Sequence, residues 1–553
     1  MDYQGFHRMH AIKPVFELLA QSLHAHGVTE LFGLIGDANL YMVDAWVRAD
    51  WGRYTACAHE ATAVLAALGY AQVSGLTGVA TITHGPALTN AMTALAEGAK
   101  GGIPVVLLCG DTAPHDREHL QKIDQRELVK ATGAGFVDMR TPDTASSDLA
   151  RAFRQASLER RPVVFNMRAD LQWEKTAASP VKLPIPVVRT VIVEGDAFDE
   201  ALGAIASAKR PLILAGRGAI APDVKAALLR LAARLEAPVA TTLKASGLFH
   251  GAPFDLGVLG TLARPVALET LLKSDCVIAF GASLSRLTTD NGKLLDGKRV
   301  IQILGDPLDN DRRTDPGMLL IADPASMADK IVEMLDLAEI APSGATDADL
   351  AEALSREAEA QAQLPPTRET SDGTIDYEPA LRRIHQALPC DRVLVTDLGR
   401  FVVSAWRNLP VSDPRHLVYT ANFASIGCGL GEAIGAARAA PDKLTVLVAG
   451  DGGFTMGGLT ELSTVVREKL NLAIILCNDG SYGAEHIQFT NKGMSPALSM
   501  TSPPDFTGIA RAMGMTACKV PNPAELEVAL KTLTSRNGPS LIELSLDPEK
   551  VFM

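Results

Sequence analysis

The chain has 553 residues, which is too long for one hydrophobic core and predicts about three or four domains. Hydrophobic residues make up 47% and charged residues 21%, as in soluble globular proteins. The net charge of −12 argues against nucleic acid or an anionic membrane as the main partner. No uninterrupted apolar stretch reaches about 18 residues, so no transmembrane helix is predicted.

The compartment is predicted from the N-terminus and the cysteines. The first 20 residues lack the apolar segment and the cleavage site of a signal peptide. The seven cysteines show no CxxC or Cys/His ligand spacing, and several lie in apolar runs, as buried free thiols do. Both features favour a reducing, cytoplasmic compartment.

Residues 12–168 alternate between helical and strand patterns. A first amphipathic helix begins near Val15, and further helices are predicted at 60–70 and 86–99. The predicted strands, which lie between these helices, are 30–35, 55–59, 78–83 and 105–108. This alternation predicts a parallel, doubly wound sheet.

Two further α/β blocks follow in the chain. The predicted strands of the second are 211–216, 276–281 and 300–304, and a helix is predicted at 224–235. We therefore predict an α/β fold of three doubly wound parallel-sheet domains: a first block (1–172), a central block (191–340) and a third block (374–553). The predicted linkers are 173–190, which is rich in proline, and 341–373, which is polar and partly helical.

The segment from Leu444 to Gly483 is a βαβ unit with polar residues after both strands. An apolar strand ends at Gly450–Gly453, which contains Asp451, and a second apolar strand ends at Asn478 and Asp479. Such strand ends are where open parallel sheets bind ligands. Carboxylates suit Mg²⁺, and glycines let the backbone approach a phosphate.

GDG followed after 27 positions by Asn resembles the thiamine diphosphate motif of the superfamily of acetolactate synthase, pyruvate decarboxylase and benzoylformate decarboxylase. The three α/β blocks resemble that superfamily over its whole length. The resemblance implies a first block that binds the aminopyrimidine (PYR), a central block, and a third block that binds the diphosphate (PP). It also implies thiamine diphosphate and Mg²⁺ as cofactors. FAD or another nucleotide in the central block is an open alternative without support in the sequence.

Glu60 lies where the superfamily carries its cofactor-activating glutamate, after a strand and at the start of an Ala-rich helix. In the family this carboxyl group bonds N1′ of the aminopyrimidine, which promotes loss of the thiazolium C2 proton. A glutamate at this position can also simply interact with the helix dipole. The combination with the GDG motif favours the catalytic interpretation.

The segment Thr83–Asn90 resembles the family's loop over the cofactor, usually TSGPGxTN, which implicates Pro86 and Asn90. His84 stands where serine is common in the family. A histidine there could relay protons near neutral pH, or it could be a hydrogen-bonded structural residue.

Further segments resemble the family's diphosphate loop and glycine-rich turn. Ile426 is the candidate for the bulky apolar residue that wedges under the cofactor, although core packing would also account for it. The residues of the third block predicted to contact the cofactor are Asp397, Gly399, Arg400, Ser425, Ile426, Gly450, Asp451, Gly452, Gly453, Tyr482, Gly483 and Ala484.

The resemblance implies that Asp451 is the first Mg²⁺ ligand and leaves two choices for the others. Asn478 lies at the usual family spacing, but the helix entry after Asp451 is one residue longer than usual. With that insertion, Asp479 becomes the second ligand and the Ser481 carbonyl the third. We favour this register and keep Asn478 and Gly480 as the fallback. An aspartate there would tighten Mg²⁺ binding and weaken the attraction for a diphosphate.

The reaction type is divided between two groups of the superfamily. Asp37 resembles the catalytic aspartate of the decarboxylase GDxNL motif, and Glu485 lies where those enzymes carry a catalytic glutamate. Their His-His pair is missing, however, because Gln121–Lys122 stands near its place. Gln121 resembles a glutamine of the acetolactate synthases, whose C-terminal Gln-Trp signature is also missing.

The primary prediction is a 2-oxo-acid decarboxylase with carboligase capacity. The alternatives are an acetolactate synthase-like carboligase, a 2-hydroxyacyl-CoA lyase, and a flavin-containing or non-catalytic homologue. The substrate is predicted to be a small 2-oxo acid or 2-hydroxy ketone. The candidate substrate-facing groups are Asp37, His84, Gln121, Glu485 and His486.

The resemblance also implies a homo-oligomer. Glu60 and Asp451 must reach opposite ends of one cofactor, and in the family they come from two chains. We therefore expect at least a dimer and favour a tetramer.

Overall fold

The structure, a computed structural model, describes residues 12–185, 194–306, 317–364 and 373–550. It contains three parallel six-stranded sheets with helices on their faces, which confirms the predicted fold class. Residues 1–11 of the N-terminal segment, in which no signal-peptide features were found, lie outside the described residues. The same holds for parts of both predicted linkers, namely 186–190 and 365–372.

The first sheet has the strand order β3-β2-β4-β5-β7-β6. The strands of this block are β1 (Lys13–Pro14), β2 (Glu30–Gly33), β3 (Arg53–Ala56), β4 (Gly78–Ile82), β5 (Val105–Asp111), β6 (Gly135–Asp138), β7 (Pro162–Arg168) and β8 (Lys175–Thr176). The helices are α1 (Val15–Ala25), α2 (Leu40–Arg48), α3 (Glu60–Ser74), α4 (Pro86–Asn90), α5 (Met92–Gly101), α6 (Gln125–Thr132) and α7 (Ala145–Glu159). Strands β1 and β8 form a separate antiparallel pair, so β8 gives part of the predicted first linker a regular structure.

The central sheet has the strand order β11-β10-β9-β12-β13-β14. Its strands are β9 (Pro211–Ala215), β10 (Val239–Thr241), β11 (Asp255–Val258), β12 (Cys276–Phe280), β13 (Arg299–Leu304) and β14 (Met318–Ile321). The helices are α8 (Asp196–Ala206), α9 (Pro222–Leu235), α10 (Pro265–Lys273), α11 (Arg286–Thr289), α12 (Pro324–Leu337) and α13 (Ala348–Ala362). The last of these lies in the second predicted linker, which was expected to be partly helical.

The third sheet has the strand order β16-β15-β17-β18-β20-β19. Its strands are β15 (Arg392–Thr396), β16 (Leu417–Tyr419), β17 (Leu444–Gly450), β18 (Leu472–Asn478), β19 (Thr516–Val520) and β20 (Ser540–Ser545). The helices are α14 (Tyr377–Ala387), α15 (Val402–Asn408), α16 (Gly429–Ala439), α17 (Asp451–Gly457), α18 (Leu462–Arg467), α19 (Gly483–Asn491), α20 (Phe506–Ala512) and α21 (Pro523–Ser535). The first and third sheets therefore share one topology.

The chain divides into two compact units. One unit contains the first and third sheets, and the other contains the central sheet together with residues 406–417. In the first unit, α3 packs directly on α16 at two glycines. An added Cβ would lie 2.0 Å from the Glu432 carbonyl oxygen at Gly69, and 1.8 Å from the Ala66 carbonyl oxygen at Gly435. The absence of side chains at these positions is what lets the two helix backbones approach so closely.

Two predicted helices are each divided in the structure. The helix predicted at 86–99 is α4 followed by α5, with Ala91 between them. The helical pattern after Asp451 becomes α17 and α18, separated by the turn 458–461. At the end of α17, the backbone of Gly457 lies against the Gly427 carbonyl, which a Cβ would approach to 2.1 Å. Periodicity alone does not report such a local contact.

No helix within the described ranges is long and apolar enough to cross a membrane. All seven cysteines are free thiols, and five of them are buried.

Candidate functional site

Asp451 and Asp479 lie together at the carboxyl edge of the third sheet. Strands β17 and β18 are parallel neighbours in which Gly450 pairs with Cys477, so the residues that follow both strands meet at this edge. Asp451 is buried, and its Oδ2 atom has no hydrogen-bond partner in the part of the chain that the structure describes. Burial and then the charge of Asp479 raise the pKa of Asp451 to about 7. A buried, unpaired carboxylate oxygen beside a second carboxylate is suited to a divalent cation.

Asp479 is held by Arg400 and by the turn that follows it. Its Oδ2 atom accepts from Arg400 Nε at 2.7 Å and lies 2.6 Å from Nη2. Its Oδ1 atom accepts from the backbone N–H of Ser481 at 2.9 Å and from the Ser481 hydroxyl at 2.6 Å. The side chains of Arg400 and Asp479 are only 4% and 10% exposed. The structure thus gives Asp479 a built-in positive partner, which the sequence did not indicate.

Asn478, the fallback ligand, is engaged elsewhere. Its amide nitrogen donates to Glu543 Oε1 at 2.9 Å, and its side-chain oxygen accepts from the Gly480 N–H at 3.2 Å. Among the described residues no group of three or more His, Cys, Asp or Glu side chains could hold a metal ion. The predicted Mg²⁺ ligands are only two carboxylates, of Asp451 and Asp479, and the Ser481 carbonyl. The remaining positions around the ion would be filled by oxygen atoms that are not from protein side chains.

Asp397, which directly follows β15, fixes the glycine-rich turn of the third block. It is buried, and both of its carboxylate oxygens accept from the Gly427 N–H at 3.0–3.1 Å. Burial raises its pKa to about 6, while backbone N–H groups of Leu398 and of residues 427–429 oppose that rise. Asp397 was predicted to contact the cofactor, whereas the structure makes it an acceptor for the turn.

The glycines around this turn let neighbouring side chains approach the backbone closely. A Cβ at Gly453 would lie 3.0 Å from Asp397 Oδ2 and 3.3 Å from Cβ of Ile426. At Gly483 a Cβ would lie 2.5 Å from Cδ of Arg400. Further predicted cofactor glycines, which are tight against aromatic rings, are Gly399, Gly450 and Gly452. Protein side chains therefore already pack against the backbone of this glycine wall, and an added Cβ would collide with them.

Ile426 and Ser425 lie beside this glycine wall. Ile426 is partly buried, and Ala424 before the pair has a φ of 60°, a conformation that costs energy for a residue with a Cβ. A partly buried isoleucine beside a glycine wall is consistent with the predicted wedge. Tyr482 is exposed just before α19, and Ala484 lies in its first turn.

The first block brings Glu60 and Asn90, two of the predicted site residues, together. Glu60 begins α3, is partly buried, and accepts from Asn90 Nδ2 at 3.0 Å through Oε2. The preceding residue, His59, caps the same helix by accepting from the Ala61 N–H. Pro86 occupies the first position of α4.

His84 lies in a polar cluster that contains a second histidine. It is buried, bonds Thr83 Oγ1 through Nδ1 at 2.9 Å, and its ring centroid is 5.1 Å from that of His119. Burial lowers the pKa of His84, the nearby His119 lowers it further, and Asp37 and Asp111 oppose that shift. The structure therefore groups Asp37 with His84 and His119.

Gln121 belongs to the same loop as His119. Its backbone N–H donates to His119 Nδ1 at 3.2 Å, and its carbonyl oxygen would lie 2.2 Å from a Cβ at Gly85. His119 was not among the residues predicted from the sequence, where only 121 and 122 drew attention. The signal was available, because β4 and β5 are neighbouring parallel strands whose following loops meet at one edge of the sheet.

Glu485 and His486, predicted to face the substrate, have different environments. Glu485 is exposed in the first turn of α19. His486 is buried, with Nδ1 at 3.4 Å from the Ser499 hydroxyl and Nε2 at 3.2 Å from Glu549 Oε1. The structure thus places His486 in a contact with the C-terminal segment.

Three domain families match the chain, each by its own segment. They are described as the thiamine pyrophosphate enzyme N-terminal TPP binding domain (residues 13–128), central domain (198–331) and C-terminal TPP binding domain (397–544). The acetolactate synthase isozyme 2 large subunit of Escherichia coli K12 is 27% identical over 96% of this chain and 95% of its own length. A probable acetolactate synthase large subunit of Methanococcus aeolicus is 27% identical over 97% and 92%, respectively. A putative thiamine pyrophosphate-containing protein, YdaP, of Bacillus subtilis 168 is 24% identical over 98% and 92%.

Proposed function

The chain belongs to the thiamine diphosphate-dependent enzyme superfamily, and from this we propose that it is a carboligase that decarboxylates a small 2-oxo acid and joins the remaining acyl group to a second carbonyl compound. The acetolactate synthase relatives support the carboligase assignment. The observation that carries the proposal is the buried Asp451 Oδ2 beside Asp479, which has no hydrogen-bond partner in the described part of the third block.

The residues present fit thiamine diphosphate and Mg²⁺. When bound, the cofactor supplies a nucleophilic carbon and an electron sink for bond cleavage next to a carbonyl. Asp451, Asp479 and the Ser481 carbonyl would hold Mg²⁺. Glu60, supported by Asn90, would hold the aminopyrimidine end. In the superfamily these two sets come from two chains, so we propose that a second copy of the chain completes each site, in a dimer or a tetramer.

The cluster of Asp37, His84 and His119 would face the substrate carbonyl. Burial lowers the pKa of His84, which favours the neutral imidazole, and that form can accept a proton from a substrate hydroxyl. Loss of CO₂ leaves an electron pair on the former carbonyl carbon. If a second carbonyl carbon takes that pair, the product is a hydroxy ketone, and if a proton takes it, the product is an aldehyde.

Simple decarboxylation to the aldehyde is the second candidate function. It is favoured by the pairing of His84 with His119 near Asp37, because two histidines can deliver the proton that releases an aldehyde.

The seven free thiols support the further proposal of a reducing, cytoplasmic compartment.

Product analysis tests the proposal. The purified protein, with thiamine diphosphate and Mg²⁺, is given pyruvate and branched or aromatic 2-oxo acids, with and without a second oxo acid or an aldehyde. We expect CO₂ release with a hydroxy ketone as the main product. Glu60→Gln should lower the rate by about 100-fold or more, while calorimetry should still detect cofactor binding. Glu127→Gln, on the exposed face of α6, is the matched control and should keep full activity.

Three results would contradict these assignments. Absence of thiamine diphosphate binding to the unaltered protein would refute the proposed function. Full activity of Glu60→Gln would refute the role of Glu60. If His119→Gln lowered hydroxy ketone and aldehyde formation equally, His119 would not be the residue that directs protonation.

A further inference from the structure

Two fully buried glutamates connect the first and third blocks of one compact unit. Glu97 lies in α5 of the first block, Glu461 immediately precedes α18 of the third block, and both are 0% exposed. Neither was singled out by any motif in the sequence. Each accepts backbone N–H groups from a loop of the other block.

Glu97 holds the chain segment that leads into the cofactor turn. Its Oε1 atom accepts from the backbone N–H of Asn422 at 2.8 Å and from its side-chain amide at 2.6 Å. Its Oε2 atom accepts from the Phe423 N–H at 2.6 Å. Phe423, the last residue that Glu97 holds, directly precedes Ala424, whose φ of 60° needs support from its surroundings. The predicted cofactor residues Ser425 and Ile426 follow Ala424.

Glu461 holds the chain segment that leads to Glu60. The Ala58 N–H lies 3.0 Å from Oε1 and 3.2 Å from Oε2 of Glu461. The Thr464 hydroxyl donates to Oε2 at 2.7 Å, which fixes the carboxylate in place. Ala58 is two residues before Glu60, in the loop after β3.

The two contacts are equivalent under the shared topology of the blocks. Counted in chain order, each glutamate follows the third strand of the six-stranded sheet in its own block: Glu97 follows β4 and Glu461 follows β17. Each holds the loop that follows the second strand of the other block, which is β16 for Glu97 and β3 for Glu461. The helices after those second strands, α3 and α16, pack on each other at Gly69 and Gly435. The contacts are therefore reciprocal.

We propose that Glu97 and Glu461 are positioning residues for the two parts of the thiamine diphosphate site that one chain contributes. Glu97, in the first block, sets the cofactor turn of the third block, and Glu461, in the third block, sets the Glu60 loop of the first block. Ionised carboxylates make strong hydrogen bonds to N–H groups, and a buried N–H group that loses its acceptor is costly. Both glutamates direct these bonds at loops, which have no ladder of their own to hold them. This inference rests on the proposed function for the identity of the ligand.

The two sites respond differently to glutamine, which separates positioning from simple space filling. In Glu97→Gln, the new amide would present its NH₂ group to either the Phe423 N–H or the two Asn422 donors, so one donor would always face another donor. At position 461, a glutamine oxygen can accept from Ala58 while its NH₂ donates to the Thr464 hydroxyl, which can turn its proton to the Ala56 carbonyl at 3.4 Å. Glu461→Gln should therefore rescue what Glu461→Ala loses, and Glu97→Gln should not rescue Glu97→Ala.

Hydrogen exchange of the cofactor-free protein tests the contacts themselves. We expect amide exchange to rise by about tenfold or more at residues 421–427 in Glu97→Ala and Glu97→Gln, and at residues 57–60 in Glu461→Ala. Calorimetry should show that the Kd for thiamine diphosphate weakens by about tenfold or more in the same three variants, but by less than about threefold in Glu461→Gln. Gln155→Ala, which removes an exposed bond to Glu159 at the end of α7, away from both loops, should change neither quantity.

The outcomes separate this inference from the proposed function. Unchanged exchange at both loops would overturn the contacts, and faster exchange without weaker cofactor binding would reduce the glutamates to structural residues. Equal behaviour of Glu97→Gln and Glu461→Gln would also overturn the inference. If the unaltered protein bound no thiamine diphosphate, the proposed function and the cofactor role would both fail, while the exchange data would still decide whether the glutamates hold the loops. Should Glu97→Ala not fold, Glu97→Gln has the same shape and carries the test.

Discussion

The close contact between α3 and α16 makes a quantitative prediction for Gly435→Ala. The new Cβ would lie 1.8 Å from the Ala66 carbonyl oxygen and 2.8 Å from the Tyr70 nitrogen, whereas ordinary contacts begin near 3.4 Å. Both neighbours are backbone atoms, so no side chain can rotate away. The helices would have to separate by more than about 1 Å along a tightly packed interface.

The expected loss of stability follows from two opposing contributions. Alanine in place of glycine in a helix gains up to about 1 kcal/mol, while overpacking against backbone costs at least about 3 kcal/mol, which leaves a net loss of about 2 kcal/mol or more. Because α3 begins at Glu60 and α16 follows the cofactor turn, cofactor affinity should fall as well. Urea-induced unfolding, followed by circular dichroism, measures the first quantity and calorimetry the second.

Gly203→Ala is the control for this experiment. Gly203 lies inside α8 with nothing within 4 Å of the added Cβ, so the variant should gain up to about 1 kcal/mol. If Gly435→Ala were as stable as the unaltered protein, or gained stability as Gly203→Ala does, the glycine-mediated helix contact would not exist as described.

Three further predictions concern charges and ligands. In metal-free buffer, Arg400→Met and Asp479→Asn should each destabilise the protein by about 3 kcal/mol. The double variant should lose less stability than the sum of the two single losses, and additive losses in this double-mutant cycle would refute the buried ion pair. Burial raises the pKa of Glu30 to about 7. As the pH rises from about 4.5 to 7, the free energy of unfolding of the unaltered protein should therefore fall by up to about 3 kcal/mol relative to that of Glu30→Gln. A difference in unfolding free energy that does not depend on pH would contradict this. The charges that act on this carboxyl group are those of Arg438, Arg53 and Glu468. Thiamine diphosphate with Mg²⁺ at 100 times its Kd should stabilise the protein by about 2.7 kcal/mol in thermal unfolding, and EDTA should reverse the shift; a shift that survives EDTA would exclude a metal role.

Much of the fold could be predicted from the sequence because many of the sheet strands are short apolar runs that end at Gly, Asp or Asn. Those strand ends place Glu60 and Asp451 at the carboxyl edges of sheets, and the resemblance of the surrounding segments to the superfamily's motifs made both residues candidates. The errors were local. The helix predicted at 86–99 and the one after Asp451 are each divided, the first at Ala91 and the second at the turn 458–461.

The sequence by itself determined the three α/β blocks through periodicity, and the resemblance of its motifs to those of the superfamily implied the site residues and the class of cofactor. Only the tertiary structure decided which side chains meet. It paired Asp479 with Arg400 across 79 positions, Glu97 with Asn422 across 325, and Glu461 with Ala58 across 403. It also brought His119 beside His84 and directed Asp397 to the backbone of Gly427. Such contacts arise where parallel strands end together and where two helices approach at glycines, and neither event leaves a periodic signal in the chain.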